Sequence, residues 1–231
     1  MTTISPVNEN CFLIQLAPQI DLSLIDQIAY WVTQIELQLG AALLDITPSY
    51  TTILVEYDLL QVSPLDVAKQ LEAIIALAPC EVQGKEETHL IELPVFYDVS
   101  VGWDLDALSQ RTNLTVAEII QLHSETIYRV CAIGFAPGFA FLAEVPAAIQ
   151  APRHATPRHF VPAGSVAIAD AQTAVYPSDS PGGWQIIGNC PITLFDHHRD
   201  PITPFKVGDR VKFTAISATH FAELGGVVRH E

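Results

Sequence analysis

With 231 residues and a 49% hydrophobic composition, the chain can bury a full core, holds one large domain or two small ones, and is not a disordered polymer. A formal net charge of −15 argues against a nucleic-acid backbone or an anionic membrane as partner. The charge is uneven: residues 1–100 carry 14 acidic side chains against Lys69 and Lys85 alone, while all seven arginines lie beyond residue 100, so an anion site belongs to the second part.

The first fifteen residues have no basic stretch and contain Pro6, Asn8 and Glu9, which does not fit a secretory signal. Residues 11–16 form an apolar run that predicts a strand. Ser23 with Asp26 resembles a helix start, and Leu24, Ile25, Ile28, Val32, Ile35 and Leu39 recur at helical spacing up to Gly40, which supplies a stop. Residues 43–46 and 51–57 predict two strands around the turn Thr47-Pro48-Ser49-Tyr50. Ser63-Pro64-Leu65-Asp66 opens a second helix that runs to about Ala78, followed by a polar turn at 84–87 and a strand at 89–93. The order β-α-β-β-α-β predicts a small ferredoxin-like α/β domain over residues 1–86.

Residues 87–231 predict a second domain, with the junction near 84–90. Two short helices form an insertion at about 103–124: Asp104 is placed to cap the first, Asn113 to end it in the left-handed region, and Thr115-Val116-Ala117-Glu118 is a capping box for the second. Segments 127–133, 165–169, 173–176, 185–187, 193–195 and 210–215 are rich in strand formers and separated by Pro/Gly turns, the pattern of an antiparallel barrel or sandwich. The best membrane candidate, the uncharged run 130–143, is shorter than the roughly twenty residues a span needs and is broken by Gly134, Pro137 and Gly138. Cys11, Cys80, Cys131 and Cys190 are widely spaced with no C-x-x-C. The expectation is an α+β cytoplasmic protein with free buried thiols.

Glycine and proline interleaved with aromatics mark the part of the chain that bears chemistry. Gly134-Phe135-Ala136-Pro137-Gly138-Phe139, Thr156-Pro157-Arg158 and Ser180-Pro181-Gly182-Gly183-Trp184 predict loops that converge on one concave site, with Phe135, Phe139, Tyr176 and Trp184 as its walls. Arg153 and Arg158 flank Pro152 and Pro157, so their guanidiniums have fixed directions that suit a carboxylate or phosphate, or else structural salt bridges. Ser165, Gln172 and Thr173 add hydroxyl and amide groups. His123, near the end of a well-capped helix, either caps its own carboxyl end or transfers a proton. His197-His198 between Asp196 and Asp200 reads as a solvated turn, and no metal site is expected. The chain has no P-loop, no G-x-G-x-x-G and no G-x-S-x-G, and the H-x-E of His123-Ser124-Glu125 lacks its P-C-x-x-C.

Pro94-Val95-Phe96-Tyr97, Leu122-His123-Ser124, the 134–139 run, Pro152-Arg153, Thr156-Pro157-Arg158, Val161-Pro162-Ala163-Gly164-Ser165-Val166, Gln172-Thr173, Tyr176-Pro177, the 180–184 run, Ile187-Gly188 and Leu194-Phe195-Asp196 occur in that order. Over about residues 10–215 they resemble the B-subunit family of bacterial ATP-dependent 5-oxoprolinase, also known as allophanate hydrolase subunit 1 or KipI-like proteins. The resemblance implies that the second domain is a cyclophilin-like barrel. It implies a composite site shared with the C subunit of that enzyme, which carries a related barrel, and a further partner, the A subunit. Together these hydrolyse 5-oxoproline to glutamate with ATP and Mg, for which this chain has no recognisable motif of its own. In that setting Arg153 and Arg158 would bind an anionic group, Gln172 and Thr173 would orient the substrate, and His123 would move a proton. The resemblance also admits an inhibitor of a sensor histidine kinase and a carboxyltransferase component of a urea carboxylase, and self-association is open. Ala140-Phe141 stands where the family usually reads Pro-Tyr, and Asn189 where a basic residue or histidine is common.

Overall fold

The computed structural model describes residues 2–76 and 90–229, which fall into two compact units divided after Thr88. Cys80, the polar turn at 84–87 and most of the expected junction lie outside the described residues.

In the first unit, strands β1 (Thr3–Asn8), β2 (Cys11–Gln15), β3 (Leu43–Pro48) and β4 (Thr52–Tyr57) form an antiparallel sheet in the order β1-β2-β4-β3. Helices α1 (Ile25–Leu39) and α2 (Pro64–Ala76) pack on each other and on this sheet. Ile28, Trp31 and Ile35 of α1 and Val67, Leu71 and Ile74 of α2 form one apolar stripe each, and Ile53, Val55 and Tyr57 alternate toward them from β4. Two expectations change here. The strand beside β2 is β1, and the strand at 90–95 belongs to the second unit, so a ferredoxin-like order closed by that strand is not what forms. The cap before α1 is also displaced: the Asp21 carboxylate accepts the Ser23 N–H of a short 3-10 turn, and Leu24, at the α-helical N-cap, has no side-chain bond to give.

The second unit is a nearly closed barrel. Strands β5 (Leu90–Val95), β6 (Ile127–Ile133), β7 (Ala140–Ala143), β9 (Ser165–Ala169), β10 (Gln172–Val175), β12 (Gln185–Asn189) and β13 (Arg210–Ala215) form a sheet ordered β12-β9-β10-β7-β6-β13-β5. The two edges meet where Phe96 and Asn189 exchange backbone hydrogen bonds of 2.9 Å in each direction. The barrel is not antiparallel throughout, because β13 and β5 run parallel, from Arg210 opposite Leu90 to Ala215 opposite Val95. A two-stranded ribbon of β8 (Arg158–Val161) and β11 (Ser180–Gly182) lies outside that sheet. The expected strand at 193–195 does not form; Leu194 is buried and its carbonyl sits so close to Gly138 that a Cβ there would collide with it. Helices α3 (Leu105–Thr112) and α4 (Val116–Glu125) precede β6, and α5 (Ala218–Glu223) ends the unit. Asn113 adopts φ 56° between α3 and α4, and Thr115 and Glu118 form both bonds of the capping box. No helix among the described residues is long and apolar enough to cross a membrane. Cys11, Cys131 and Cys190 are buried free thiols, and burial pushes Cys131 up to about 12 and Cys190 to about 11.

Candidate functional site

Side chains alternate along the barrel strands and divide the second unit into two apolar clusters. Val166, Ile168, Val175 and Ile187 point to the barrel interior, while Ala167, Ala169, Ala174 and Ile186 point to the opposite face. The small alanines on that face leave room for rings. Phe139 stands at the centre, its ring centroid 5.1 Å from Phe135, 4.8 Å from Phe141, 5.5 Å from Tyr176 and 5.8 Å from Trp184, all steeply inclined to it. With Arg153, Pro181, Gly182 and Gly183 these rings line a groove of about 140 Å³.

Each loop contributes through its special residues. Gly138 (φ 81°) turns the 134–139 segment back so that Phe139 enters the groove floor. Phe135 adopts φ 71°, a left-handed conformation that a non-glycine residue takes at a cost of roughly 1–2 kcal/mol, and the residue is 67% exposed at the groove rim. Gly182 packs so closely on the Tyr176 hydroxyl that a Cβ there would overlap it. Burial raises the Tyr176 pKa, opposed by a hydrogen bond from the Trp184 backbone and by the charges of Arg153 and Arg158. The Arg153 guanidinium stacks 5.5 Å above Trp184, where the indole face favours its charge.

The structure brings Phe135, Phe139, Arg153, Tyr176 and Trp184 together and places the other expected site residues elsewhere. Arg158 lies beside the groove, but its guanidinium grips the buried Asp104 carboxylate at 3.0 and 2.9 Å and stacks 5.7 Å from Trp103. Asp104, expected as a helix cap, stands at the N-cap position of α3 with no side-chain bond to the helix. Its carboxylate also accepts the Ile186 N–H at 2.7 Å, and His154 Nε2 lies 3.1 Å from it. Ser165 is buried beside Asn189, outside the groove lining. Gln172 shares the face of β10 that carries Ala174.

His123 does not reach the groove. It is fully buried against the barrel interior, where the ring stacks on Phe213 at 4.6 Å. Thr173 Oγ1 donates to the Ala167 carbonyl at 3.0 Å, which leaves it to accept from His123 Nε2 at 2.9 Å; Nδ1 then accepts the Tyr97 hydroxyl at 2.7 Å. That circuit holds a neutral imidazole, and burial lowers its pKa from 6.5 to about 3. Neither the proton-transfer role nor the helix-end role read from the sequence describes this placement, and Thr173 shares the sealed circuit.

The carboxyltransferase domain, subdomain C and D, family model matches residues 2–205. The chain is 33% identical over 222 residues to the 5-oxoprolinase B subunit of Bacillus subtilis, covering 93% of this chain and 92% of that one. It is 38% identical over 212 residues to the protein of the same name from Haemophilus influenzae, covering 91% and 96%. The chain belongs to the family of 5-oxoprolinase B subunits. Among solved structures, TTHA0988 is similar at a TM-score of 0.78 and 31% identity; the match covers 96% of this chain and spans 41% of that one. Urea carboxylase of Kluyveromyces lactis shares the fold, with a TM-score of 0.70 at 16% identity over 96% of this chain and 22% of that one. Relative to the family pattern, Phe141 stands in the groove wall without a phenol, and Asn189 spends its side chain on the Ala163 carbonyl at 3.1 Å.

Three residues of this neighbourhood, Asp104, Trp103 and His154, went unread in the sequence as site residues. Asp104 was masked by a plausible local role at a helix start, and Trp103 and His154 show their relation to Arg158 only once the barrel is closed.

Proposed function

We propose that this chain is a non-autonomous subunit of an ATP-dependent 5-oxoprolinase, acting with the A and C subunits of that enzyme to open 5-oxoproline to L-glutamate, and that the aromatic groove is its part of a composite site. The observation that carries this reading is the pairing of aromatic walls with the Arg153 guanidinium in a small groove. 5-Oxoproline is a compact lactam ring bearing one carboxylate. Arg153 pairs with the carboxylate, the rings of Phe139, Phe141 and Trp184 enclose the lactam, and the Tyr176 hydroxyl faces its polar edge. The names of the relatives support the same substrate.

The described residues offer no recognisable Mg–ATP motif. No three His, Cys, Asp or Glu side chains among them gather to hold a metal ion, and the sequence has no glycine-rich phosphate loop. In this reading the nucleotide belongs to the assembled complex. The test is glutamate release from 5-oxoproline and ATP by the chain co-purified with its A and C partners, against the same mixture without it. Release that requires this chain is the expected result; an assembled complex that releases no glutamate overturns the assignment.

A carboxyltransferase component is the second reading, favoured by the family description and by the shared fold with urea carboxylase. It requires a biotinylated partner, and carboxyl transfer from that partner in place of glutamate release would select it.

A further inference from the structure

The segment that carries Arg153 is clamped at three points. Gln185 Nε2 donates to the Pro152 carbonyl at 2.8 Å, the His154 N–H donates to the Gly183 carbonyl at 2.7 Å, and Arg158 closes on Asp104 through both terminal nitrogens. The first two clamps are single neutral hydrogen bonds. The third is a two-point, charge-assisted grip on a side chain that is 5% exposed, and such pairs are roughly twice as strong as neutral bonds. Asp104 is itself anchored, because its N–H donates to the Ile186 carbonyl at 2.9 Å while its carboxylate accepts the Ile186 N–H. It therefore ties the start of α3, strand β12 and the arginine segment to one point. His154 Nε2 sits between the partners, 2.8 Å from Arg158 Nη1 and 3.1 Å from Asp104. Although Asp104 stands at the N-cap position of α3, its carboxylate makes no bond to the helix and is committed to this junction instead.

We propose that Asp104 is a positioning residue of the groove: by holding Arg158 it fixes the 152–158 segment and sets the Arg153 guanidinium over Trp184, where an anionic substrate group is bound. The inference rests on the reading of the groove as a site for a small carboxylate. An ion pair that only stiffened the barrel rim would change stability and leave substrate affinity alone. A positioning residue acts on KM through Arg158.

The experiment compares Asp104→Asn, Arg158→Gln and the double variant in the complex with the A and C subunits, with 5-oxoproline as substrate, at a temperature where each is folded. KM is expected to rise about ten-fold in either single variant, with kcat changed by less than about three-fold. The double variant should be no worse than the poorer single one, because both substitutions break one connection. An unchanged KM, or additive effects in the double variant, overturns the proposal. If Asp104→Asn does not fold, Arg158→Lys, which keeps the charge and loses the two-point grip, carries the same comparison. A crystal structure of the folded variant gives a readout independent of turnover. Arg153 still seated on Trp184 overturns the positioning role, whereas a wild-type complex that releases no glutamate, with Arg153 displaced in the variant, overturns only the substrate assignment.

Discussion

Strands β9, β10 and β12 present two faces made from the same few residues, and the faces differ in what is left over after folding. The interior face carries Val166, Ile168, Val175 and Ile187, with His123 closed in a circuit in which every described polar group has its partner. The outer face carries alanines under a cluster of inclined rings, an arginine on an indole and an exposed phenylalanine in a left-handed conformation. Aliphatic bulk with satisfied polar groups makes a core. Alanines beneath rings, with Phe135 and Arg153 open to solvent at the edge, leave a groove instead.

The sharpest way to break this comparison is to titrate the interior face. The unfolded chain protonates His123 near pH 6.5, and the folded protein resists until about pH 3. Its folded pKa is depressed, so the stability linked to this histidine is full above about pH 6.5 and is lost as pH falls toward 3, by about 1.4 kcal/mol per pH unit. The expected result is that the stability difference between wild type and His123→Gln, measured by urea unfolding from pH 7.5 to 4.5, shrinks along that slope. A pH-independent difference would show that the imidazole is not held neutral, and the interior would then be as chemically available as the groove.

A smaller effect is expected at the two adjacent glycines of the groove. A Cβ on Gly182 would overlap the Tyr176 hydroxyl at the end of a packed ring, whereas on Gly183 it would meet Pro157 Cγ at 3.6 Å and the His154 carbonyl at 3.7 Å, ordinary contact distances. Gly182→Ala should cost about 1–3 kcal/mol through forced displacement of Tyr176, and Gly183→Ala no more than about 0.5 kcal/mol. Thermal unfolding of the pair, with glutamate release by the complex, checks both. Equal tolerance would mean that the Tyr176 hydroxyl is not fixed against the loop.

The elements legible in the sequence are those whose signals are local. The capping box at Thr115 and Glu118, the stop at Asn113 and the segments rich in strand formers at Ile127–Ile133, Ser165–Ala169 and Arg210–Ala215 need no knowledge of distant residues. Strand β1 escaped because it is an edge strand with five of its six residues exposed, so it has no alternation to read. The parallel pairing of β13 with β5 joins segments far apart in the chain, a connection that no local pattern encodes. The groove shows the same division. Its aromatics and glycines stood out as a compositional anomaly. The partners of His123, Arg158 and Asp104 come from other elements: for Arg158 the salt-bridge alternative is the one that forms, with a carboxylate no local pattern names, and for His123 and Asp104 the local reading pointed to another role.

A net effect on folding smaller than that of Gly182→Ala is expected at Phe135, and it separates the two faces most cleanly. A buried aromatic is kept by what its removal costs the core, but Phe135 is 67% exposed and touches Phe139 and Tyr176 only edge-on. Its φ of 71° is one that glycine adopts without penalty. Phe135→Gly therefore relieves backbone strain of roughly 1–2 kcal/mol and forfeits two edge contacts worth about 0.5–1.5 kcal/mol each. The two terms largely offset, and the midpoint of urea unfolding should move by less than the equivalent of about 2 kcal/mol. On folding energetics alone the ring has no reason to occupy that conformation, and strain of this kind persists where a ligand uses it. The KM of the complex for 5-oxoproline should accordingly rise several-fold while stability stays level. A large loss of stability with unchanged KM would assign Phe135 to the packing of the rim and leave Arg153 and Trp184 as the groove's recognition pair.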